Sequence, residues 1–211
     1  MRLVVTSDTH SLHDSIGGLP DGDVLVHAGD FMNSGYDVQD ILSFNRWLGD
    51  QPFRHRVVCA GNHDRYFEAA PQHARALLTN AIYLENAGVS LDNLSFWGSP
   101  YTPEFLNWAF MYPRGSSSRY WDLIPENLDV LITHGPPFGI LDQTAPGKAH
   151  LGCEELRGAI ERKRPRIHVF GHIHGSAGTF ENEATRFINA AYLNELYKPL
   201  DPAGNIRIVD L

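Results

Sequence analysis

DVLVHAGD, residues 23–30, shows most clearly a pattern that recurs along this chain. It starts as an apolar run that is typical of a buried strand, breaks at Gly29 and ends on the carboxylate of Asp30. A carboxylate at the mouth of a protein core is costly unless a cation neutralises it. This ending therefore predicts a positively charged partner for Asp30.

Four further apolar runs end in the same way, on side chains that offer oxygen or imidazole nitrogen. They are LVVTSD (3–8), VVCAGNHD (57–64), VLITHG (130–135) and IHVFGHIHG (167–175). Besides Asp30, the donors at these strand ends are Asp8, His10, Asn62, His63, Asp64, His134, His172 and His174. Because open α/β sheets collect their ligands at the carboxyl ends of strands, the pattern predicts a metal centre of two ions.

Each of these motifs has an ordinary alternative when it is taken alone. The D-x-H of residues 8–10 could belong to a polar loop, and GNHD (61–64) could be a β-turn. The amide of Asn62 favours a metal site, because a neutral carboxamide suits a hard ion whose site already carries anions. An imidazole followed by an acid, as in His63 and Asp64, is the pairing used for proton transfer.

The composition indicates one globular domain over residues 1–211. The chain is 43% hydrophobic and 20% charged, and its length supports one sizeable core. The net charge is −8 and the longest basic stretch is ERKRPR (161–166), so a nucleic-acid partner is not expected. Cys59 and Cys153 lie far apart and outside any CxxC spacing, so neither a disulfide framework nor a thiolate metal site is predicted.

The start of the sequence is not typical of a targeting signal. The first apolar run leads straight to Asp8 and is too short for a signal peptide. No run approaches the stretch of about 18 apolar residues that a membrane span requires. We therefore expect a cytoplasmic protein with no membrane partner. The sequence leaves the oligomeric state open.

Helices are predicted where the apolar residues follow a helical period. One covers residues 38–48, with Asp37 as its cap, and two others cover residues 74–79 and 153–164. Further strands are predicted from Leu94 and in the tail segments 185–193 and 205–211. Residues 11–22 are predicted to form a loop with one helical turn, in which His13 either faces the site or is exposed.

Residues 100–121 are rich in aromatic side chains and are interrupted by prolines and glycines. Two interpretations are open for this segment, and both could hold for different residues. It is either a packed hydrophobic loop or a wall of the substrate cleft. In the second case Trp108 would stack on a nucleobase and Arg114 would contact the ligand. In the first case Trp108 is core.

Taken in order, the motifs D-x-H, G-D, G-N-H-D, H-G and G-H-x-H resemble those of the calcineurin-like metallophosphoesterase superfamily. The resemblance runs from Asp8 to the final strands. Three segments, GSPYTPEFLNWAF (98–110), THGPPFG (133–139) and HVFGHIHG (168–175), resemble more narrowly the small metallophosphoesterase-domain-containing subfamily of brain and fetal-brain proteins.

This resemblance implies a four-layer α-β-β-α sandwich, in which two mixed sheets are flanked by helices. It also implies a set of metal ligands at the strand ends. One metal would be held by Asp8, His10 and His174, the other by Asn62, His134 and His172, and Asp30 would bridge them. His63 matches the catalytic imidazole of the family, and Asp64 matches its partner acid.

Fewer residues are expected to contact the substrate than to bind the metals. Besides Trp108 and Arg114, we expect Asn62 and His63 to contact the substrate. Many superfamily members carry an extra acid shortly after the bridging aspartate, where this chain has Asn33. We expect Asn33 to affect substrate orientation rather than metal binding.

The expected activity is hydrolysis of phosphodiester bonds, with small or cyclic nucleotides as substrates. Two cations about 3.5–4 Å apart can activate a hydroxide and clamp a phosphoryl group for in-line attack. Mixed nitrogen and oxygen ligands without thiolate suit Mn²⁺, Fe or Zn²⁺, and the carboxylate and carbonyl content favours Mn²⁺. The alternatives are a nucleotide-binding or scaffolding protein with low turnover, and a phosphomonoesterase or phosphoprotein phosphatase.

Overall fold

A computed structural model of the chain describes residues 1–200 and 206–211. The apolar runs of the sequence form strands. In chain order these are β1 (Arg2–Thr6), β2 (Val24–His27), β3 (His55–Cys59), β4 (Ile82–Leu84), β5 (Ala87–Leu91), β6 (Leu94–Ser99), β7 (Thr102–Pro103), β8 (Met111–Tyr112), β9 (Val130–Thr133), β10 (Ile167–Phe170), β11 (Gly178–Glu181), β12 (Arg186–Asn189) and β13 (Arg207–Asp210). The α-helices are α1 (Val38–Asp50), α2 (Arg65–Ala69), α3 (Pro71–Leu77), α4 (Ser118–Trp121) and α5 (Glu154–Lys163). Of the strand predicted over 205–211, Asn205 lies outside the described residues.

Helix α1 confirms the helix predicted over residues 38–48 and continues for two more residues to Asp50. The side chain of Asp37 accepts a hydrogen bond from the N–H of Gln39 at 2.9 Å, which satisfies one of the free donors of the first turn. The apolar face of the helix is buried, with Phe44 at its centre.

The other two predicted helices are also present. The helix predicted over 153–164 is α5, and Cys153 caps it by accepting a hydrogen bond from the N–H of Leu156. The helix predicted over 74–79 is α3, but it starts earlier, at Pro71. The fixed backbone angle of proline suits the first turn of a helix. The sequence did not predict the short helices α2 and α4.

The first sheet has the strand order β13-β1-β2-β3-β4. Strands β1 to β4 are parallel, and β13 pairs with β1 in the antiparallel direction. In the parallel part, Val5 pairs with Val26 and Val26 pairs with Val57, so apolar side chains align across one face.

The second sheet has the order β11-β12-β10-β9-β6-β5. Its four central strands are parallel and its two edge strands, β11 and β5, are antiparallel to their neighbours. Both large sheets are therefore mixed, with all-parallel centres. A parallel centre needs cover on both faces, which explains why its strands are continuously apolar.

The two sheets pack face to face, and helices cover their outer faces. The shared inner core is apolar and is formed by Leu3, Val5, Val24, Val26, Ala28, Val57, Cys59, Phe96, Val130, Ile132, Ile167, Val169 and Ile188, among others. On the outside, Val4 of the first sheet packs in one cluster with Phe44 of α1, and Leu131 of the second sheet packs with Ile160 of α5. The four-layer sandwich is thereby confirmed.

The aromatic segment 100–121 divides between core and surface. Ala109 and Phe110 are buried beside the first sheet, whereas Phe105 and Leu106 are exposed. The interpretation as a packed hydrophobic loop therefore holds for Ala109 and Phe110, whereas Phe105 and Leu106 are not part of that packing.

His13 lies in a 3₁₀ turn, as predicted for residues 11–22, but its side chain is placed elsewhere than expected. The ring is buried, its Nε2 lies 3.0 Å from the hydroxyl of Ser43, and it packs on Phe44. His13 is thus part of the packing of α1, neither a site residue nor an exposed one. None of the helices in the described part of the chain has the length and apolar character of a membrane span.

Candidate metal centre

The predicted metal ligands meet at one edge of the sandwich. Each follows the carboxyl end of a parallel strand: β1, β2 and β3 in the first sheet, and β9 and β10 in the second. The sheets join at this edge, where Ser7 and Ala191 form a parallel bridge and the N–H of Tyr192 donates to the carbonyl of Ser7 at 2.8 Å. Because the strands of both sheets end here, their donors face one another.

A first group of donors consists of Asp8, His10 and His174. Their ligand atoms all lie within 4.8 Å of one another, and the three residues are buried. His174 Nε2 lies 3.4 Å from Asp8 Oδ1 and 3.4 Å from His10 Nε2. One cation placed between these atoms would contact all three.

A second group consists of Asp30, His134 and His172, again within 4.8 Å. His134 Nε2 lies 3.2 Å from Asp30 Oδ2 and 2.9 Å from the amide oxygen of Asn62. The same Asp30 Oδ2 lies 3.9 Å from His10 Nε2 of the first group. Asp30 thus faces both groups, which is the arrangement that a bridging carboxylate requires.

Glycines let the backbone and these carboxylates approach closely. A Cβ atom added at Gly171 would lie 1.9 Å from Asp8 Oδ2, and one at Gly61 would lie 2.3 Å from Asp30 Oδ1. No side chain fits at such distances. The glycine before His172 and the glycine before Asn62 are therefore required by packing against the donors.

The donors themselves are held in a strained backbone conformation. Asp8, His10, Asp30 and His172 all have positive φ, between 41° and 68°. This left-handed conformation is unfavourable for residues other than glycine and is concentrated at functional sites in proteins. The strands thus end in sharp turns that aim each donor at a common point.

Backbone carbonyls set the orientation of two imidazoles. His134 Nδ1 donates to the carbonyl of Ala28 at 3.0 Å, and His174 Nδ1 donates to the carbonyl of Asn194 at 3.1 Å. A ring nitrogen that faces a carbonyl carries its hydrogen, so the Nε2 atom of each ring can offer a lone pair to a metal.

The buried charges fit a cation. Burial opposes the ionisation of both Asp30 and His134, but their attraction outweighs it, so the pKa of Asp30 is well below its usual value and that of His134 rises to about 9. For the same reasons the pKa of His174, beside Asp8, rises to about 9. In the absence of a metal, protons on these rings balance the carboxylates. A divalent cation would replace those protons, so the donor set fits such an ion in chemistry and charge.

Asp64 has a different role from the one predicted. Its carboxylate accepts hydrogen bonds from the N–H groups of Asp30 (2.9 Å), Met32 (2.9 Å) and Gly61 (2.7 Å). Burial, together with the charge of Asp30, raises its pKa. Asp64 is thus fully buried beneath the loops that follow β2 and β3, and it is corrected from a partner acid to an organiser of these loops.

The ring of His63 is held by other groups. Its Nδ1 donates to the backbone carbonyl of Asn33 at 2.7 Å. The backbone N–H of His63 donates to Asp30 Oδ1 at 2.7 Å. The ring stacks on Trp108, with centroids 4.0 Å apart and an interplanar angle of 24°. Trp108 in turn lies 4.4 Å from the guanidinium of Arg65. Trp108 is therefore half-buried at the site and not in the core.

A cleft of about 350 Å³ lies over the donors. It is lined by Asp30, Asn62, His63, Phe105, Leu106, Trp108, Thr144, Leu151, His172, Ile173, His174, Glu195 and Tyr197. Arg114 is not among these residues. Its guanidinium donates instead to the carbonyls of Leu151 (2.6 Å) and Gly152 (2.9 Å) and to Glu154, which corrects its predicted contact with substrate.

The side chain of Asn33 does not line the cleft either, and its carbonyl acts through His63. Sequence reasoning missed Tyr197, whose ring centroid lies 4.8 Å from that of His10 and 5.4 Å from that of His174. The available signal was its position after strand β12, which ends at the same edge as the other strands.

Known proteins resemble this chain in sequence and in fold. A sequence profile of calcineurin-like phosphoesterases matches residues 1–176. The human metallophosphoesterase domain-containing protein 1 is 39% identical over 95% of this chain and 69% of its own length. Among solved structures, a phosphopantetheinyl hydrolase from Mycobacterium tuberculosis has a TM-score of 0.65 at 16% identity, over 99% of this chain and 95% of its own. An archaeal phosphodiesterase has a TM-score of 0.51 at 16% identity, over 100% and 93% of the two chains.

Proposed function

Because the chain belongs to the calcineurin-like phosphoesterase family, we propose that it is a metal-dependent phosphodiesterase acting on small or cyclic nucleotides. The observation that carries this proposal is the pair of neighbouring donor groups, with Asp30 in the second group and 3.9 Å from His10 of the first, below one cleft. The archaeal phosphodiesterase with a similar fold supports the choice of diesters.

Two divalent ions would be held by the side chains that the geometry groups together. Asp8, His10 and His174 would hold one, Asn62, His134 and His172 the other, and Asp30 would contact both. When bound, such ions lower the pKa of water and neutralise the phosphoryl oxygens. Mn²⁺ is the favoured ion, with Fe or Zn²⁺ as alternatives, because the donors are carboxylate, amide and imidazole without thiolate.

His63 would supply the proton for the leaving group. The oxygen of a water molecule would bond to phosphorus and release one proton to solvent. The bond from phosphorus to the leaving oxygen would break, and that oxygen would take a proton from the Nε2 atom of His63, which solvent then protonates again. The carbonyl of Asn33 holds the other ring nitrogen, and Trp108 supports the face of the ring. General acid catalysis of this kind contributes about 10²–10⁴ in rate.

Two further features concern the domain organisation and the cellular compartment of the protein. We propose that residues 1–211 act as one domain, because both sheets share a single inner core. The two free, buried cysteines suit a reducing compartment such as the cytoplasm.

The first test is turnover of bis-p-nitrophenyl phosphate by protein loaded in turn with Mn²⁺, Ni²⁺, Co²⁺ and Zn²⁺. We expect release of nitrophenol with at least one of them. No turnover with any of the four would contradict the proposal. Tight nucleotide binding, with the nucleotide recovered intact, would favour a binding protein instead. A faster reaction with the monoester would favour a phosphomonoesterase.

Metal analysis of variants tests the assigned roles. We expect Asp30→Ala to lose both ions, because its carboxylate faces both groups. We expect His63→Ala to keep them while turnover of diphenyl phosphate, which has a poor leaving group, falls. Asp37→Ala is the control, since it removes a carboxylate at the start of α1 and away from the cleft. Equal metal loss in the Asp30 and His63 variants would show that His63 holds a metal.

A further inference from the structure

Large apolar side chains are exposed around the mouth of the cleft. Phe105 is 58% exposed, Leu106 70%, Leu151 38% and Tyr197 47%, and all four line the cleft. We call these four residues the apolar rim. They come from three separate segments of the chain, so their clustering is a result of the tertiary structure. Clustered exposed apolar surface of this kind marks a binding site.

Two members of the apolar rim are presented by strained backbone. Leu106 and Tyr197 each have φ of 56°, in the left-handed backbone region that residues other than glycine and asparagine rarely adopt. In the free protein, Leu106 and Tyr197 therefore combine a strained backbone with an exposed apolar side chain. A ligand that covered them would offset the exposure.

The charges on the cleft wall favour a ligand with a single negative charge. Within the described residues, those that line the cleft include no lysine or arginine, and Glu195 adds a carboxylate. Arg65 lies behind Trp108 and donates to the carbonyl of Asn107. Apart from the metal ions and the protonated ring of His63, the wall therefore offers no cation to a second phosphate or to the second charge of a monoester.

We propose that the apolar rim selects singly charged phosphodiesters in which the ester group that stays on phosphorus carries a flat aromatic ring, as a nucleoside does. This inference rests on the proposed function and narrows its substrate class. A phosphoryl group over the donors would place one ester group against the rim, where Phe105 and Tyr197 offer ring faces. Nucleoside diphosphates, triphosphates and phosphomonoesters would be poor substrates.

The test uses two diesters with the same leaving group, so that the chemical step is matched. These are methyl p-nitrophenyl phosphate and phenyl p-nitrophenyl phosphate. We expect kcat/KM for the phenyl diester to be about tenfold higher, because the rim removes its ring from water. p-Nitrophenyl phosphate, a monoester, should be the poorest of the three. Equal values for the methyl and phenyl diesters, or a monoester as good as the diesters, would overturn the inference.

Variants connect this preference to the rim. Phe105→Ser combined with Leu106→Ser should bring the phenyl-to-methyl ratio close to one. Leu123→Ser is the matched control, because Leu123 is 55% exposed but does not line the cleft, and it should leave the ratio unchanged. A ratio that survives the double substitution would overturn the role of the rim.

A binding measurement separates failure of this inference from failure of the proposed function. Calorimetry of the metal-loaded protein should give a lower Kd for diphenylphosphinate than for dimethylphosphinate, whose P–C bonds are not hydrolysed, and the double substitution should remove the difference. If no ester is hydrolysed but this difference is found, the proposed function fails and the rim's selectivity stands. If esters are hydrolysed and the Kd values are equal, the rim's selectivity fails and the proposed function stands.

Discussion

Trp108→Ala tests whether the tryptophan holds the ring of His63 in place. The two rings stack at 4.0 Å, and an aromatic pair of this kind contributes about 0.5–1.5 kcal/mol. If that energy is lost from the transition state, kcat for a diester with a poor leaving group falls by about 2- to 13-fold, at about tenfold per 1.4 kcal/mol.

The assay compares two diesters of similar size. Diphenyl phosphate releases phenol, which needs the proton of His63, whereas bis-p-nitrophenyl phosphate releases a nitrophenolate that leaves without one. We expect Trp108→Ala to lower kcat for diphenyl phosphate by the factor above, and for the nitrophenyl diester by less than about twofold. Trp108→Phe keeps an aromatic face and should retain most of the rate.

A double-mutant cycle supplies the control. In the His63→Ala background, Trp108→Ala should cause no additional loss with diphenyl phosphate, because residues that act through one interaction are not additive. The reasoning is refuted if both substrates lose the same factor, or if the loss persists without the imidazole. Trp108 would then act on the substrate or on the fold.

Two further predictions concern packing and pH. Gly171→Ala should lower the metal content, because the added Cβ would lie 1.9 Å from Asp8 Oδ2. Gly178→Ala is the control, since its Cβ would meet only ordinary contacts and the variant should keep the metal. Metal analysis measures both variants, and equal metal contents would contradict the steric argument. Burial lowers the pKa of His168 from 6.5 to about 3, so between these values only the unfolded chain takes up the proton, and stability falls as the pH falls. His168→Phe should therefore flatten the dependence of unfolding free energy on pH by about 1.4 kcal/mol per pH unit over this window, measured by urea denaturation. Ile160→Val should lower stability without changing the slope, and an unchanged slope in His168→Phe would count against the buried neutral ring.

The apolar runs of the sequence located the buried strands and the donors at their ends, and the family resemblance implied the sandwich. Parallel strands buried on both faces are continuously apolar, so a polar residue directly after such a strand marks its end. Asp8, Asp30 and His134 could be located in this way, because the strand end and the donor are adjacent in the chain. The glycines beside the donors belong to the same local signal, since the close packing there excludes a side chain.

The directions of neighbouring side chains depend on long-range packing and are visible only in the folded protein. His63 and Asp64 are consecutive, yet the imidazole lies at the cleft while the carboxylate is buried beneath the loops. In the same way Arg114 is used to hold the loop before α5, and Tyr197 reaches the cleft from the tail. These roles depend on backbone amides and carbonyls of distant segments, such as the carbonyl of Asn33. Every residue carries a backbone carbonyl and every residue except proline carries an N–H group, so the residue types do not indicate which of these groups will be free to bond.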